Sequence, residues 1–224
     1  MDILFEDNHV IVVNKHSGEL VQPDPSGAPA LEQAVAEYVR VKYNKPGRAF
    51  LGVVHRLDRP VSGAVLFART SKALVRLNEQ LRERGFRKLY WAIVEQKPTV
   101  ESATLTHHIV RNAKTNKSMA LDSPTKDSQE AVLKYRLVKS SDRYHLLEVE
   151  LLTGRHHQIR AQLAAIGCKI KGDLKYGASR SNPDGSISLH SRSLEFSHPV
   201  TRERIVVTAP VPEDKLWQFF EHNE

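Results

Sequence analysis

The sequence predicts an α+β fold in which a largely antiparallel sheet is flanked by helices. Three observations lead there. Apolar residues alternate along Arg87 to Val94, the period of a strand with two distinct faces. Strand-like segments follow one another from Arg87 to Leu152 with no helical stretch between them, which favours antiparallel pairing. Apolar stripes at helical spacing occur elsewhere, in the stretches beginning near Pro29, after Ser71 and after Gly154.

Ile3–Phe5 and Val10–Val13 read as short strands separated by the turn-forming Glu6-Asp7-Asn8. Leu31, Val35, Tyr38 and Val39 recur at helical spacing, and proline suits a first helical position, so a helix over Pro29–Lys42 is predicted. A second helix follows Ser71, with Leu74, Leu77 and Leu81 as its apolar stripe, its charges on a solvated face and Gly85 as its stop. Ala64–Ala68 and Arg87–Val94 are strands, and in the second Tyr90 faces away from Trp91. Ala103–Val110, Ala131–Val138 and Tyr144–Leu152 are further strands. Arg111–Gln129, polar and lysine-bearing, reads as a mobile loop in which Lys114, Lys117 and Lys126 either touch phosphates or are solvated. Ile159, Leu163 and Ile166 give a third helix ended by Gly167. A polar loop over Gly177–Ser188, strands near Leu189 and Ile205–Thr208, and a short helix over Pro212–Phe220 complete the chain.

The 224 residues and 40% apolar content suit one integrated domain over residues 1–224. Thirty-three basic against 26 acidic residues give +7, a balance that favours a polyanionic partner. The one cysteine, Cys168, excludes an intramolecular disulfide and fits a reducing, cytoplasmic compartment. No apolar run is long enough for a membrane span, and no signal peptide is visible. Monomer is the default expectation.

Asp58 lies in the run His55-Arg56-Leu57-Asp58-Arg59-Pro60-Val61-Ser62-Gly63, between two arginines and just ahead of an apolar strand. A neighbouring guanidinium favours the ionised acid, which suits attack or charge stabilisation better than proton donation. Taken alone, an aspartate between arginines is most simply a salt-bridged loop residue. The run, however, resembles the HRLDxxxSG motif of the RluA-like pseudouridine synthases, in which the aspartate is essential. Thr153-Gly154-Arg155-His156-His157-Gln158-Ile159-Arg160 is similar to the family's TGRxHQIR. Ile170-Lys171-Gly172-Asp173 with Tyr176-Gly177 resembles PIxGDxxYG, with Lys169 where a proline is frequent, and Gln162 stands where many relatives have histidine. Lys88-Leu89-Tyr90-Trp91-Ala92 matches KxYxA, and Leu189-His190 and His198-Pro199 match its LH and HP landmarks. The resemblance runs from Ile3 to about Pro212.

That resemblance implies the pseudouridine synthase fold, a mixed, largely antiparallel central sheet flanked by helices and loops with a central cleft. It also implies an enzyme that isomerises uridine in ribosomal or transfer RNA and needs no cofactor. The bond from ribose C1′ to uracil N1 breaks, the base turns, and C1′ joins C5. Asp58 either attacks C1′ to give a glycosyl ester or removes the C2′ proton to give a glycal. Arg160 matches the arginine that pairs with the catalytic carboxylate. Tyr90 matches the tyrosine that stacks on the base and assists loss of the C5 proton. A stacked uridine must first be extruded, at a cost of about a few kcal/mol, and Arg56 is a candidate to fill the vacated space.

His55 and Arg59 are further candidates beside Asp58, with His55 read chiefly as fixing the loop by hydrogen bonding. Arg155 serves a phosphate or caps a loop. Lys15 stands where the family has the lysine of a KPxG turn, here Lys15-His16-Ser17-Gly18, and is counted with the RNA-binding residues; without the proline the turn is less rigid. Family members often carry a small RNA-binding domain ahead of the catalytic one, and since Ile3 already begins the catalytic sequence none is expected here.

Rival classes are weaker. The pairs His107-His108 and His156-His157 lack the spacing that aims two imidazoles from one helix at a single ion, so no metal site is expected. A nucleoside glycosidase would want a second carboxylate as acid, where this motif offers arginines. A non-catalytic RNA-binding or RNA-folding module needs only the basic balance, and the intact Asp58, Tyr90 and Arg160 argue against it. DNA is not expected as a partner.

Overall fold

The structure, a computed structural model, describes residues 1–222. In chain order its elements are β1 (Asp2–Glu6), β2 (Val10–Lys15), α1 (Leu31–Lys42), β3 (Gly52–Val53), β4 (Ser62–Ala68), α2 (Ser71–Arg82), β5 (Arg87–Val94) and β6 (Ser102–Asn112). Then follow β7 (Lys117–Leu121), β8 (Gln129–Ser140), β9 (His145–Leu151), α3 (Gln158–Ala165), a 3-10 turn (Leu174–Tyr176), β10 (Leu189–Ser197), β11 (Arg204–Thr208) and α4 (Lys215–Glu221). The fold class is α+β, as predicted. Two compact units form among the described residues, one from residues 1–87 with 191–212 and the other from residues 88–190 with those from Glu213 on.

In the first unit β2 and β4 pair antiparallel from Val10↔Ala68 to Lys15↔Gly63, β1 flanks β2, and β10 pairs with β11. All seven residues of β4 are buried, as an interior strand requires. Val10, Val12, Ala64, Leu66 and Ala68 meet Ala73 and Leu77 of α2, and Phe86 stacks on Phe196 with ring centres 5.6 Å apart. Gln80 of α2 joins Ser197 in both directions, its Nε2 donating to the Ser197 carbonyl and its Oε1 accepting from the Ser197 amide. Thr70 caps α2 by accepting from the Ala73 amide. The other helix, α1, begins at Leu31 rather than Pro29. The amides of Leu31 and Glu32 donate to the carbonyls of Leu20 and Val21, so the chain before Leu31 is held as an extended bridge.

The second unit is an antiparallel meander in the order β5-β9-β8-β6-β7. Leu147, Val149 and Leu151 of β9 are buried, and so are Ala131, Leu133 and Tyr135 of β8, each on one face as the alternation predicts. The segment predicted as a loop over Arg111–Gln129 is different: Lys117–Leu121 forms β7 and pairs with β6 through a turn containing Asn116 at φ 46°. A five-residue strand with only Ser118 buried carries too little apolar alternation to be seen in sequence. Ile159, Ala161 and Leu163 of α3 are buried, as are its polar Gln158, Arg160 and Gln162, and Gly167 at φ 80° ends it. No described helix is long and apolar enough to cross a membrane.

Candidate functional site

Asp58 sits in the loop between β3 and β4. Leu57 is buried, whereas Arg56 and Arg59 are exposed and Asp58 is half-buried, so the apolar residue anchors the loop and leaves its charged neighbours facing outward. The loop rests on Lys15, the last residue of β2 and fully buried. An ammonium has three protons to donate, and Lys15 Nζ gives them to the carbonyls of His16 at 3.0 Å, Arg59 at 3.0 Å and Val61 at 2.6 Å. Burial pushes its pKa down to about 8, against the smaller opposing pull of Glu19 and Asp58.

The turn that follows Lys15 adds further ties. The Gly18 amide donates to the Arg59 carbonyl at 2.8 Å and Arg59 Nε returns a bond to the Gly18 carbonyl at 3.0 Å, while Ser17 Oγ donates to the Pro60 carbonyl. The Val61 amide closes a turn on the Asp58 carbonyl at 3.0 Å. His55 Nε2 accepts from the Leu66 amide at 3.2 Å, which fixes the incoming end of the loop. At the outgoing end Gly63 adopts φ 113°, and a Cβ there would lie 2.3 Å from the Ser191 carbonyl oxygen. The nine residues from His55 to Gly63 are thus held from both ends and from beneath, and the carboxylate has few backbone arrangements left to it.

In the second unit the Thr153–Arg160 block builds the entry to α3. Gln158 Oε1 accepts from Thr153 Oγ1 at 2.8 Å and from the Arg155 amide at 2.9 Å, and its Nε2 donates to the Val132 carbonyl. His157 takes a left-handed φ of 52° at the helix start, and its ring stacks on His156 at 3.8 Å. Tyr176 Oη lies 3.0 Å from His157 Nδ1 and accepts from the Ser118 amide at 2.8 Å, so it joins α3 to β7. Arg160, buried in the first turn of α3, grips Asp173 bidentately, Nε to Oδ2 at 2.7 Å and Nη2 to Oδ1 at 2.9 Å. Its guanidinium stands 5.0 Å from the centre of the Tyr176 ring, over which Lys117 Nζ also lies at 5.1 Å.

Tyr90 is buried on β5 opposite Val149, with Trp91 on the other face as expected. Arg155 is exposed, its Nε on the Glu130 carbonyl. Lys15 departs from expectation. Counted with the RNA-binding residues, it has no exposed surface and gives all three ammonium protons to carbonyls, so it supports the Asp58 loop from inside. Sequence reasoning missed two partners, Asp173 for Arg160 and Tyr176 for the histidine pair, although both stand in the Gly172-Asp173 and Tyr176-Gly177 stretch already noted. Among the described residues no group of three or more His, Cys, Asp or Glu side chains is placed to hold a metal ion.

Comparison with known proteins bears on this arrangement. Residues 9–165 match the family model described as RNA pseudouridylate synthase. An uncharacterized RNA pseudouridine synthase of Bacillus subtilis is 35% identical over 217 residues, covering 96% of this chain and 70% of the relative. The ribosomal large subunit pseudouridine synthase D of Xanthomonas campestris is 36% identical over 233 residues, covering 96% of this chain and 67% of that one. The structure of human RNA pseudouridylate synthase domain containing 4 superposes with a TM-score of 0.80 at 22% identity, over 99% of this chain and 92% of that one, a likeness of fold. The ordered motifs, the fold and these matches converge, and the chain belongs to the RluA-like family of RNA pseudouridine synthases, intramolecular isomerases of uridine in RNA.

Proposed function

We propose that the RNA on which this pseudouridine synthase acts is that of the large ribosomal subunit, with Asp58 as the group that attacks the ribose of an extruded uridine. The observation that carries the assignment of Asp58 is the clamping of its loop. A carboxylate that must meet one carbon of a flipped nucleotide gains most from a backbone fixed beforehand, and the Lys15, Gly18 and Gly63 anchors supply that. The ribosomal target is supported by curated relatives named large-subunit pseudouridine synthases D and C, which are 30–36% identical to this chain.

In this reading Asp58 reacts as the anion, at C1′ or at the C2′ proton. Tyr90 stacks on the base and assists loss of the C5 proton, and Arg160 keeps the role that the motif match implies for it. Arg56, Arg59 and Arg155, all exposed, are the contacts to RNA, and His55 holds the loop. Mapping pseudouridines across total RNA from cells with and without the gene tests the target: loss confined to large-subunit ribosomal RNA is expected, and loss confined to transfer RNA would overturn it. Asp58→Asn tests the residue. It leaves RNA binding intact, because it removes no phosphate contact, and abolishes tritium release from RNA labelled at uridine C5. Turnover equal to that of the wild type would remove Asp58 from the reaction.

A further inference from the structure

Lys88 has no task in the reaction described so far. It precedes Tyr90 by two residues on β5, so the two side chains project from the same face of the strand, about 7 Å apart along it. The residue is partly buried, and its Nζ lies 3.7 Å from the point where a Cβ on Gly154 would stand, so the ammonium lies against the backbone of the Thr153-Gly154-Arg155 segment. Among the described residues it has neither a hydrogen-bond acceptor nor a carboxylate partner. Burial pulls its pKa down, with no other cause acting. Arg155, next in sequence to Gly154, is exposed and among the described residues spends only its Nε, on the Glu130 carbonyl.

A partly desolvated cation left unpaired costs free energy in the folded protein, which a purely structural lysine would avoid by meeting an acceptor. Lys15 does so with three carbonyls; Lys88 does not. The cost is recovered if an anion arrives from outside. Resting on the assignment of Tyr90 to the uracil ring, we propose that Lys88 binds a backbone phosphate of the RNA next to the uridine stacked on Tyr90, with Arg155 flanking the same phosphate. The spacing fits, since a base and its own phosphate are separated by the ribose, a span of the same order as two residues of a strand. Gly154 fits as well, because its lack of a side chain leaves the approach to Nζ open.

The test is the salt dependence of binding to transcribed large-subunit ribosomal RNA by wild type, Lys88→Met and Lys88→Arg. Each phosphate contact contributes about 0.7–0.9 to the slope of log affinity against log salt. Lys88→Met is expected to lower that slope by this amount and to weaken binding about tenfold at low salt, and Lys88→Arg to restore both. The melting temperature of Lys88→Met is expected to equal or exceed that of the wild type, because an unpaired charge has been removed; a merely structural lysine would show a fall.

An unchanged slope overturns the inference. So does a loss confined to kcat with the slope intact, which would assign Lys88 to the detached base instead. Failure of the wild type to form pseudouridine in this RNA would count against the proposed target and leave the binding result to stand on its own.

Discussion

Lys15 Nζ donates to the Val61 carbonyl at 2.6 Å from a position with no solvent exposure, and by the same ammonium to Arg59, so one side chain fixes the backbone on the far side of Asp58. Removing it as Lys15→Met leaves three carbonyls without their donor. The expected loss of stability is about 1–3 kcal/mol. A drop in kcat of about 10- to 100-fold follows from the loosened loop, and RNA affinity stays nearly unchanged. Urea unfolding, steady-state kinetics and RNA binding check the three parts.

The same lysine gives a pH dependence. Its folded pKa of about 8 lies below its ordinary value of 10.5, so between those limits the unfolded chain binds more protons and stability rises with pH. Below about pH 8 the cost of burying the charge is present in full. Wild type should therefore gain about 1–3 kcal/mol on Lys15→Met between about pH 7 and about pH 10. The groups facing the ammonium, Glu19, Asp58 and Arg59, are common to both proteins and largely cancel in the difference. Paired unfolding curves that run parallel across this range would refute the expectation.

Gly63→Ala should prevent accumulation of folded protein. The backbone at φ 113° strains any side chain, and the added carbon would meet the Ser191 carbonyl oxygen at 2.3 Å, backbone against backbone with nothing flexible to give way. Yield of soluble protein and far-ultraviolet circular dichroism report it. By contrast Gly27→Ala, whose added carbon meets nothing within 4 Å, serves as the control for positive φ alone, with an expected cost of about 1 kcal/mol.

Arg160→Lys is not conservative at this site. A lysine cannot reproduce the two-pronged bond to Asp173, and the buried carboxylate would lose half its partners. Arg160→Leu strands that carboxylate entirely and should cost about 3–5 kcal/mol. If Leu at position 160 is paired with Asp173→Asn, part of the loss returns, because the uncompensated charge has gone. A double-mutant cycle in urea measures that coupling.

Tyr176→Phe keeps the ring that Lys117 and Arg160 both approach and deletes only the hydroxyl. The buried Ser118 amide then has no acceptor, at an expected cost of about 1–3 kcal/mol. Hydrogen exchange should localise the weakening to β7 and to the start of α3, where the hydroxyl meets His157.

How far the sequence foretold this molecule depended on the range over which each feature is determined. Elements fixed by local periodicity, such as α2 with Leu77 buried and β5 with Tyr90 and Trp91 on opposite faces, were readable directly. The Asp58 loop was readable through its motif, but its support was not. Lys15 reads as a surface cation until the partners 44 and 46 residues away are known. Strand β7 escaped because its pairing with β6, rather than its own composition, defines it. The start of α1 shifted for the same reason: carbonyls at Leu20 and Val21 claim its first amides.

Gly63 leans on a residue that the ribosome adds 128 positions later, and α2 is tied at Gln80 to a strand residue 117 positions downstream. Everything through Arg87 must therefore wait, after synthesis, for Ser191 to Pro212 to emerge before its own unit can close. A nascent chain cut short anywhere in between carries Asp58 in its sequence yet lacks the wall that shapes the loop around it. Premature termination thus yields fragments in which the reactive carboxylate has no fixed setting, and commitment to chemistry comes only once Ser191 to Pro212 have been made.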